Sequence, residues 1–187
     1  MKELLIYLNN IHPLSESLQE HLFAILKTKK ISKKNSLLKI GQVCNNIYFV
    51  EKGLLRCYYI KEDKEVCSWF MKEGDVIISV ESFFKQTQSY EAIQALEDST
   101  VHYISYNELQ FIYKKFPEFN FIGRVLTESY YMMSEQRLFS LRMQKSTKKY
   151  FYLQQHFPEL LLRLPSRYIA SYLGITEETL SRIRGRK

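Results

Sequence analysis

The spacing of apolar residues along this chain changes period more than once, and those changes bound the folds open to it. Over residues 13–26, Leu14, Leu18, Leu22, Ile25 and Leu26 recur at spacings of three and four, an apolar stripe on a helix. Ser15 or Ser17 is placed to cap it, and Ser17 with Glu20 fits a capping box. From about residue 31 to residue 105 the chain reads as many short strands. The runs 47–50, 54–60 and 66–70 are rich in β-branched and aromatic residues. Turn signals separate them: Gly41, Asn45-Asn46, Lys52-Gly53, the Lys61-Glu62-Asp63-Lys64 stretch, Glu73-Gly74-Asp75 and Glu97-Asp98. Regular short strands with turns between them predict a sandwich or barrel; periodicity alone leaves an up-and-down barrel open.

After Asn107 the period returns to helical. A short helix is expected over 107–115, a restart at Phe116-Pro117-Glu118, and one long helix from Phe119 to about Met143. Ile122, Val125, Met132, Phe139 and Met143 take seven-residue a/d positions, with Ser129 and Gln136 in the other a slots. Some 25 helical residues reach roughly 37 Å. Such a helix packs on its own barrel, and its stripe also suits pairing with a twin, which makes Ile122, Val125, Met132 and Phe139 candidate dimerisation residues. Residues 146–156 read as helical, the Phe157-Pro158 and Leu164-Pro165 stretch as a linker, and two more short helices follow.

Charge points to a partner. The chain carries a net +7, and from Arg142 onward ten cations face three acids, so the C-terminal quarter holds a surplus equal to the whole. A polyanion is the natural partner for that end. The three cysteines, Cys44, Cys57 and Cys67, are widely spaced without a CxxC pair, which suits free thiols in a reducing cytoplasm rather than a zinc site or disulfides. No apolar run approaches the roughly 18 residues of a membrane span. The first residues are not read as a signal peptide, so a cytoplasmic protein without membrane association is expected.

The segment 164–184 carries the functional reading. Ser166 is expected to cap a helix with Ile169, Ala170 and Leu173 facing inward. Ala170 is small enough for a second helix to cross above it. Gly174 stops the first helix, Ile175 plugs the turn, and Thr176 caps the second, with Glu177 and Glu178 near its positive end. Leu180 and Ile183 face inward, leaving Glu178, Thr179, Ser181, Arg182 and Arg184 outside. This is the pattern of a helix-turn-helix that reads double-stranded DNA. Arginine bonds guanine O6 and N7, and glutamate accepts from cytosine N4. The candidate DNA-binding residues are thus Ser166, Thr176, Glu178, Thr179, Ser181, Arg182 and Arg184.

Taken together, Gly41, the Tyr48–Gly53 strand and turn, Phe70–Asp75, Ala95–Ser99 and the recognition segment resemble the Crp/Fnr transcription regulators. Within that segment, Glu178, Ser181 and Arg182 match the E-x-x-S-R pattern of the Fnr-like branch. The resemblance implies an α+β chain. It would have an N-terminal antiparallel β jelly roll of the cyclic-nucleotide-binding type over 1–117, a dimerisation helix over 118–143 and a helix-turn-helix domain over 144–187. Only three residues follow the recognition helix, so no wing is expected after it. The implied function is a homodimeric, DNA-binding transcription regulator. RNA polymerase and an unidentified small-molecule effector are the further partners such a regulator would meet.

Departures from the family pattern are informative. Its cyclic-nucleotide binders carry a Gly-Glu pair and then an Arg-Ser pair that holds the cyclic phosphate. Here Ser79-Val80 precede Glu81, and Ser89-Tyr90 stand at the arginine position. Tight cyclic AMP binding is not expected, since a buried phosphate needs a cation. A pocket about Ser79, Glu81, Ser82, Ser89 and Tyr90 either holds another small molecule or is filled by its own side chains. No cofactor or metal is expected: the first cysteine, Cys44, comes too late for an Fnr-type cluster, and His21 and His102 read as structural. Two rivals stay open: a protein-interaction module without DNA binding, and a jelly-roll enzyme. The second lacks a histidine cluster or a catalytic signature motif.

Overall fold

The computed structural model of the chain describes residues 2–185. It opens with two helices, α1 (Lys2–Ile11) and α2 (Glu16–Ile25). The first falls on the N-terminal stretch that sequence reasoning left unassigned; Leu4 and Leu8, four apart, are its buried residues. Ser15 caps α2, its hydroxyl accepting from the Leu18 N–H at 3.3 Å. The capping box lies elsewhere: Ser105 and Glu108 close one at the start of α4 (Tyr106–Lys115), not Ser17 and Glu20. Glu108 also takes Lys27 at 2.8 Å.

Eight strands follow α2: β1 (Lys27–Ile31), β2 (Ser36–Leu38), β3 (Asn46–Lys52), β4 (Leu55–Lys61), β5 (Lys64–Met71), β6 (Val76–Ile77), β7 (Glu91–Ala95) and β8 (Ser99–Ser105). They form two four-stranded sheets, ordered β1-β8-β3-β6 and β2-β7-β4-β5. In the first, β3 runs antiparallel to β8, with Tyr48 opposite Tyr103 and Val50 opposite Val101, and a register shift between Val50 and Lys52. In the second, β4 pairs antiparallel with β7, Cys57 opposite Ile93. The core draws on both: Val50, Ile77 and Val101 from one, Leu55, Ile93 and Ala95 from the other, all fully buried. Each of these Val, Leu and Ile side chains contributes about 1.5–3 kcal/mol by leaving water, and the single methyl of Ala95 less. The expected jelly roll with antiparallel sheets is thus the fold, interrupted by one short helix, α3 (Val80–Lys85), which the strand reading did not foresee.

The chain divides into two compact units, residues 1–60 with 68–127 and residues 61–67 with 128–187. The long helix α5 (Pro117–Met143) contributes its first part to one and its second part to the other. The C-terminal unit adds α6 (Ser146–His156), α7 (Pro158–Arg163), α8 (Ser166–Leu173) and α9 (Glu177–Gly185). The stretch expected as a linker is largely the helix α7, with Pro158 at its first turn, where a missing N–H costs nothing.

Glycine at position 53 is required twice over. Its φ is +106°, and a Cβ there would come within 2.8 Å of the Ser99 Cα. Gly74 also has positive φ, +88°, but open space around it. Gly53→Ala should therefore destabilise the fold by about 2–3 kcal/mol and Gly74→Ala by about 1 kcal/mol in urea unfolding. Equal losses would show that the contact with Ser99 relaxes freely.

Candidate nucleic-acid interface and sensor pocket

An eight-residue helix is too short to persist alone, and α8 is held by its apolar face and its ends. Ile169, Ala170 and Leu173 are buried, as are Leu180 and Ile183 on α9. Gly174 ends α8 at φ +65°, ψ 40°, the left-handed conformation expected there. Ile175 is half-buried rather than fully enclosed. The N–H groups of Gly174 and Ile175 turn back to the carbonyls of Ser171 and Ala170. The last two carbonyls of α8 are met by cations from other helices. Arg137 of α5 donates through Nη2 to Tyr172 O at 3.0 Å, its guanidinium lying over the Tyr172 ring at 3.6 Å. Lys149 of α6 reaches Leu173 O at 3.4 Å and Leu141 O, near the end of α5, at 3.0 Å.

The seven residues assigned to DNA separate into three groups. Glu178, Ser181 and Arg182 are exposed on α9 and make no side-chain hydrogen bond among the described residues. Thr176 and Thr179 form the cap: Thr176 Oγ1 accepts from the Thr179 N–H at 3.1 Å and lies 3.0 Å from the Thr179 hydroxyl. Ser166 does not cap α8. Pro165 occupies that position, and the Ser166 hydroxyl instead accepts from Arg184 Nη1 at 2.8 Å. The C-terminal charge is not all at the surface. Lys149, one of the ten C-terminal cations, is 8% exposed and its ammonium is used within the protein. Nothing in its sequence neighbourhood distinguishes it from Lys148, which is exposed. Arg186 and Lys187 lie outside the described residues.

In the N-terminal unit the five expected pocket residues do not form one lining. Ser79, Ser82 and Ser89 are buried, whereas Glu81 pairs with Lys85 in the open at 2.7 Å and Tyr90 is 60% exposed. The buried serines are joined to one another and to the backbone. Ser79 and Ser89 hydroxyls lie 2.8 Å apart, Ser89 donates to Glu91 O at 2.8 Å, and Ser82 accepts from the Cys44 N–H at 2.9 Å. Glu91 completes the cluster. It is 9% exposed, and its Oε2 accepts from the Ser68 hydroxyl at 3.2 Å. Burial pushes its carboxyl above the usual range, against the opposing effect of hydrogen bonds from Ser79 and Ser68. Glu91 is absent from the expected list, although an acid opening the apolar run Glu91-Ala92-Ile93 was a signal available in the sequence. A cavity of about 410 Å³ lies elsewhere, lined by Leu37, Leu38, Val43, Asn46 and Tyr48 among others and by none of those five.

The dimerisation residues divide along α5. Ile122 is fully buried within its own unit and is not available to a second chain, a correction to the seven-residue reading. Gly123 explains the close packing there, since a Cβ would meet the Tyr113 ring. Val125 is half-buried. Met132 and Phe139 are each 58% exposed, and Tyr131 and Met143 more so. His102 is buried between Thr28 Oγ1 at 2.9 Å and Glu51 Oε1 at 2.8 Å, and His21 lies against Phe111 and Phe116. The three cysteines are free and buried. Among the described residues no group of three or more His, Cys, Asp or Glu is placed to hold a metal, and no helix is long and apolar enough to cross a membrane.

Two four-stranded antiparallel sheets, a long helix and a terminal helix-turn-helix make an architecture that known proteins share. The cyclic nucleotide-binding domain family matches residues 28–116. The fumarate and nitrate reduction regulatory protein of Vibrio cholerae is 30% identical, over 92% of this chain and 74% of that protein. The anaerobic regulatory protein of Haemophilus influenzae is 29% identical, over 92% and 72%. Among solved structures, FixK2 from Bradyrhizobium japonicum superposes with a TM-score of 0.73 at 19% identity, covering 87% of this chain and 84% of that one. A transcriptional regulator of the Crp/Fnr family from Eubacterium rectale gives 0.69 at 17% identity, covering 93% and 85%. The chain belongs to the Crp/Fnr family of transcription regulators.

The raised pKa of Glu91 has a definite sign in stability. Ionising a group whose folded pKa lies above its unfolded value costs folding free energy. The cost is absent below the ordinary carboxylate pKa of 4.5 and complete above the raised one. Glu91→Gln should therefore raise the melting temperature at about pH 7 and leave it unchanged near pH 4. An equal change at both would mean that burial does not oppose this charge.

Proposed function

We propose that this regulator binds double-stranded DNA as a homodimer and reads a near-palindromic site through α9. The observation that carries the reading is the division of that helix. Leu180 and Ile183 are buried, while Glu178, Ser181 and Arg182 stand exposed and unengaged. These three read base edges. The Thr176–Thr179 cap sets the start of the helix, and Ser166 and Arg184 brace it from the side. The V. cholerae and H. influenzae relatives are named as regulatory proteins, in keeping with this role.

The second half of α5 supplies the pairing surface. Tyr131, Met132, Phe139 and Met143 form an exposed apolar series in a charged protein, and burying them against a twin removes them from water. Pairing then sets two copies of α9 about one DNA turn apart, roughly 34 Å.

The sensor does not bind cyclic AMP tightly. Ser89, at the position of the family's phosphate-binding arginine, is buried and bonded to Ser79. The neighbouring charge is the carboxyl of Glu91, of the same sign as a phosphate. This space is filled by its own side chains. RNA polymerase is the further protein partner through which such a regulator acts on transcription.

Binding-site selection with purified protein and no added ligand tests the reading. A recovered two-fold motif supports it; failure to enrich any sequence, or binding that does not fall with salt, favours a protein-interaction module. Arg182→Ala should cost about 1–3 kcal/mol and relax preference at one base pair of each half-site. Titration calorimetry with cyclic AMP should show no micromolar binding.

A further inference from the structure

The C-terminal unit contains two cations whose charged groups bond the protein's own backbone. Lys149 is buried, and its ammonium bonds two backbone carbonyls: Leu141 O near the C-terminus of α5 and Leu173 O at the C-terminus of α8. Both carry the negative end of a helix dipole, which favours a cation there. Arg137, half-buried on α5, is stacked on the Tyr172 ring and donates to Tyr172 O. The same Nη2 also reaches Cys67 O at 3.3 Å, in the short stretch 61–67 that belongs to this unit. Between these two cations sits an apolar contact. A Cβ on Gly174 would lie 3.4 Å from Leu141 Cδ2, so the turn of the reading head rests on the same face of α5 that carries Arg137, four residues earlier.

A buried ammonium is expensive to leave unpaired, and a stacked guanidinium holds its orientation. Two such ties, from α5 and from α6, meet on consecutive carbonyls of one short helix. They fix α8, and with it α9, to the end of the helix whose exposed face pairs the subunits. We propose that Arg137 and Lys149 are positioning residues that determine half-site spacing: they make each reading helix a rigid extension of α5, so that helix pairing fixes the separation and phase of the two half-sites. The inference rests on the dimeric reading proposed above. It assigns spacing to residues that touch no base, separate from base choice through Glu178, Ser181 and Arg182.

Phase is a sensitive readout. Each added base pair moves a half-site by about 3.4 Å and turns it by about 35°. A rigid joint cannot follow; a loose one can.

The test uses full-length protein, the two-fold site recovered by selection, and duplexes in which the spacer is lengthened or shortened by one and two base pairs. The native protein is expected to lose at least tenfold in affinity per base pair of change. Lys149→Met and Arg137→Met, tested separately, keep much of the side-chain volume and remove the tie. Each is expected to flatten the dependence to under threefold while single-base substitutions within a half-site discriminate as in the native protein. Should Lys149→Met fail to fold, Arg137→Met gives the same comparison from a half-exposed position. A variant that loses affinity equally on every spacer, or loses base discrimination as well, has only a structural defect and overturns the proposal. So does a native protein indifferent to spacing. A native protein that binds no duplex fails the dimeric DNA reading itself, before spacing is compared.

Discussion

The reading head depends on how the terminal carbonyls of one short helix are satisfied. A helix leaves its last four carbonyls without an intrahelical partner, and α8 has only eight residues. Two are taken by the N–H groups of the left-handed turn at Gly174 and Ile175, and two by Arg137 and Lys149. The apolar crossing of α8 and α9 follows from that arrangement: Ile169, Ala170, Leu173, Leu180 and Ile183 close over one another once the turn is set. The outward face of α9 is then left to polar residues. The placement of that exposed face therefore depends on a capping problem solved by groups outside the helix-turn-helix sequence.

The N-terminal unit solves a different problem with the same economy. In its polar interior the Ser79 and Ser89 hydroxyls lie against one another, Ser82 bonds the backbone and the half-buried Ser68 reaches the buried Glu91 carboxyl, while Arg56, buried in the same unit, is bonded to Gln94. Hydroxyls donate and accept, so the Ser79–Ser89 pair finds its partners within the protein.

Local rules read much of this correctly from the residues. The strand runs, the glycine turns and the Glu62-Asp63 hairpin turn, with φ of +49° and +58°, lie where alternation and turn chemistry place them. The Gly174 turn and the Thr176 cap do too. The misses have a common origin in tertiary partners. Ser17-Glu20 and Ser105-Glu108 spell the same box, and only packing selects the second. Ser166 stands where a cap belongs, but Pro165 fills that position and Arg184 claims the hydroxyl. Ile122 shares its period with Met132 and Phe139, yet Gly123 admits the Tyr113 ring and seals that turn of the helix in its own unit. Lys149 and Glu91 are ionisable residues in the interior, and a one-dimensional pattern does not say which charge of several is enclosed.

The enclosure of Lys149 bears on how formal charge becomes electrostatic field. Counted along the chain, the C-terminal quarter is strongly basic, but one of its positive charges is surrounded by helix-end carbonyls whose partial negative charges oppose it. The cations at the surface, Arg182 among them, are therefore fewer than the count along the chain.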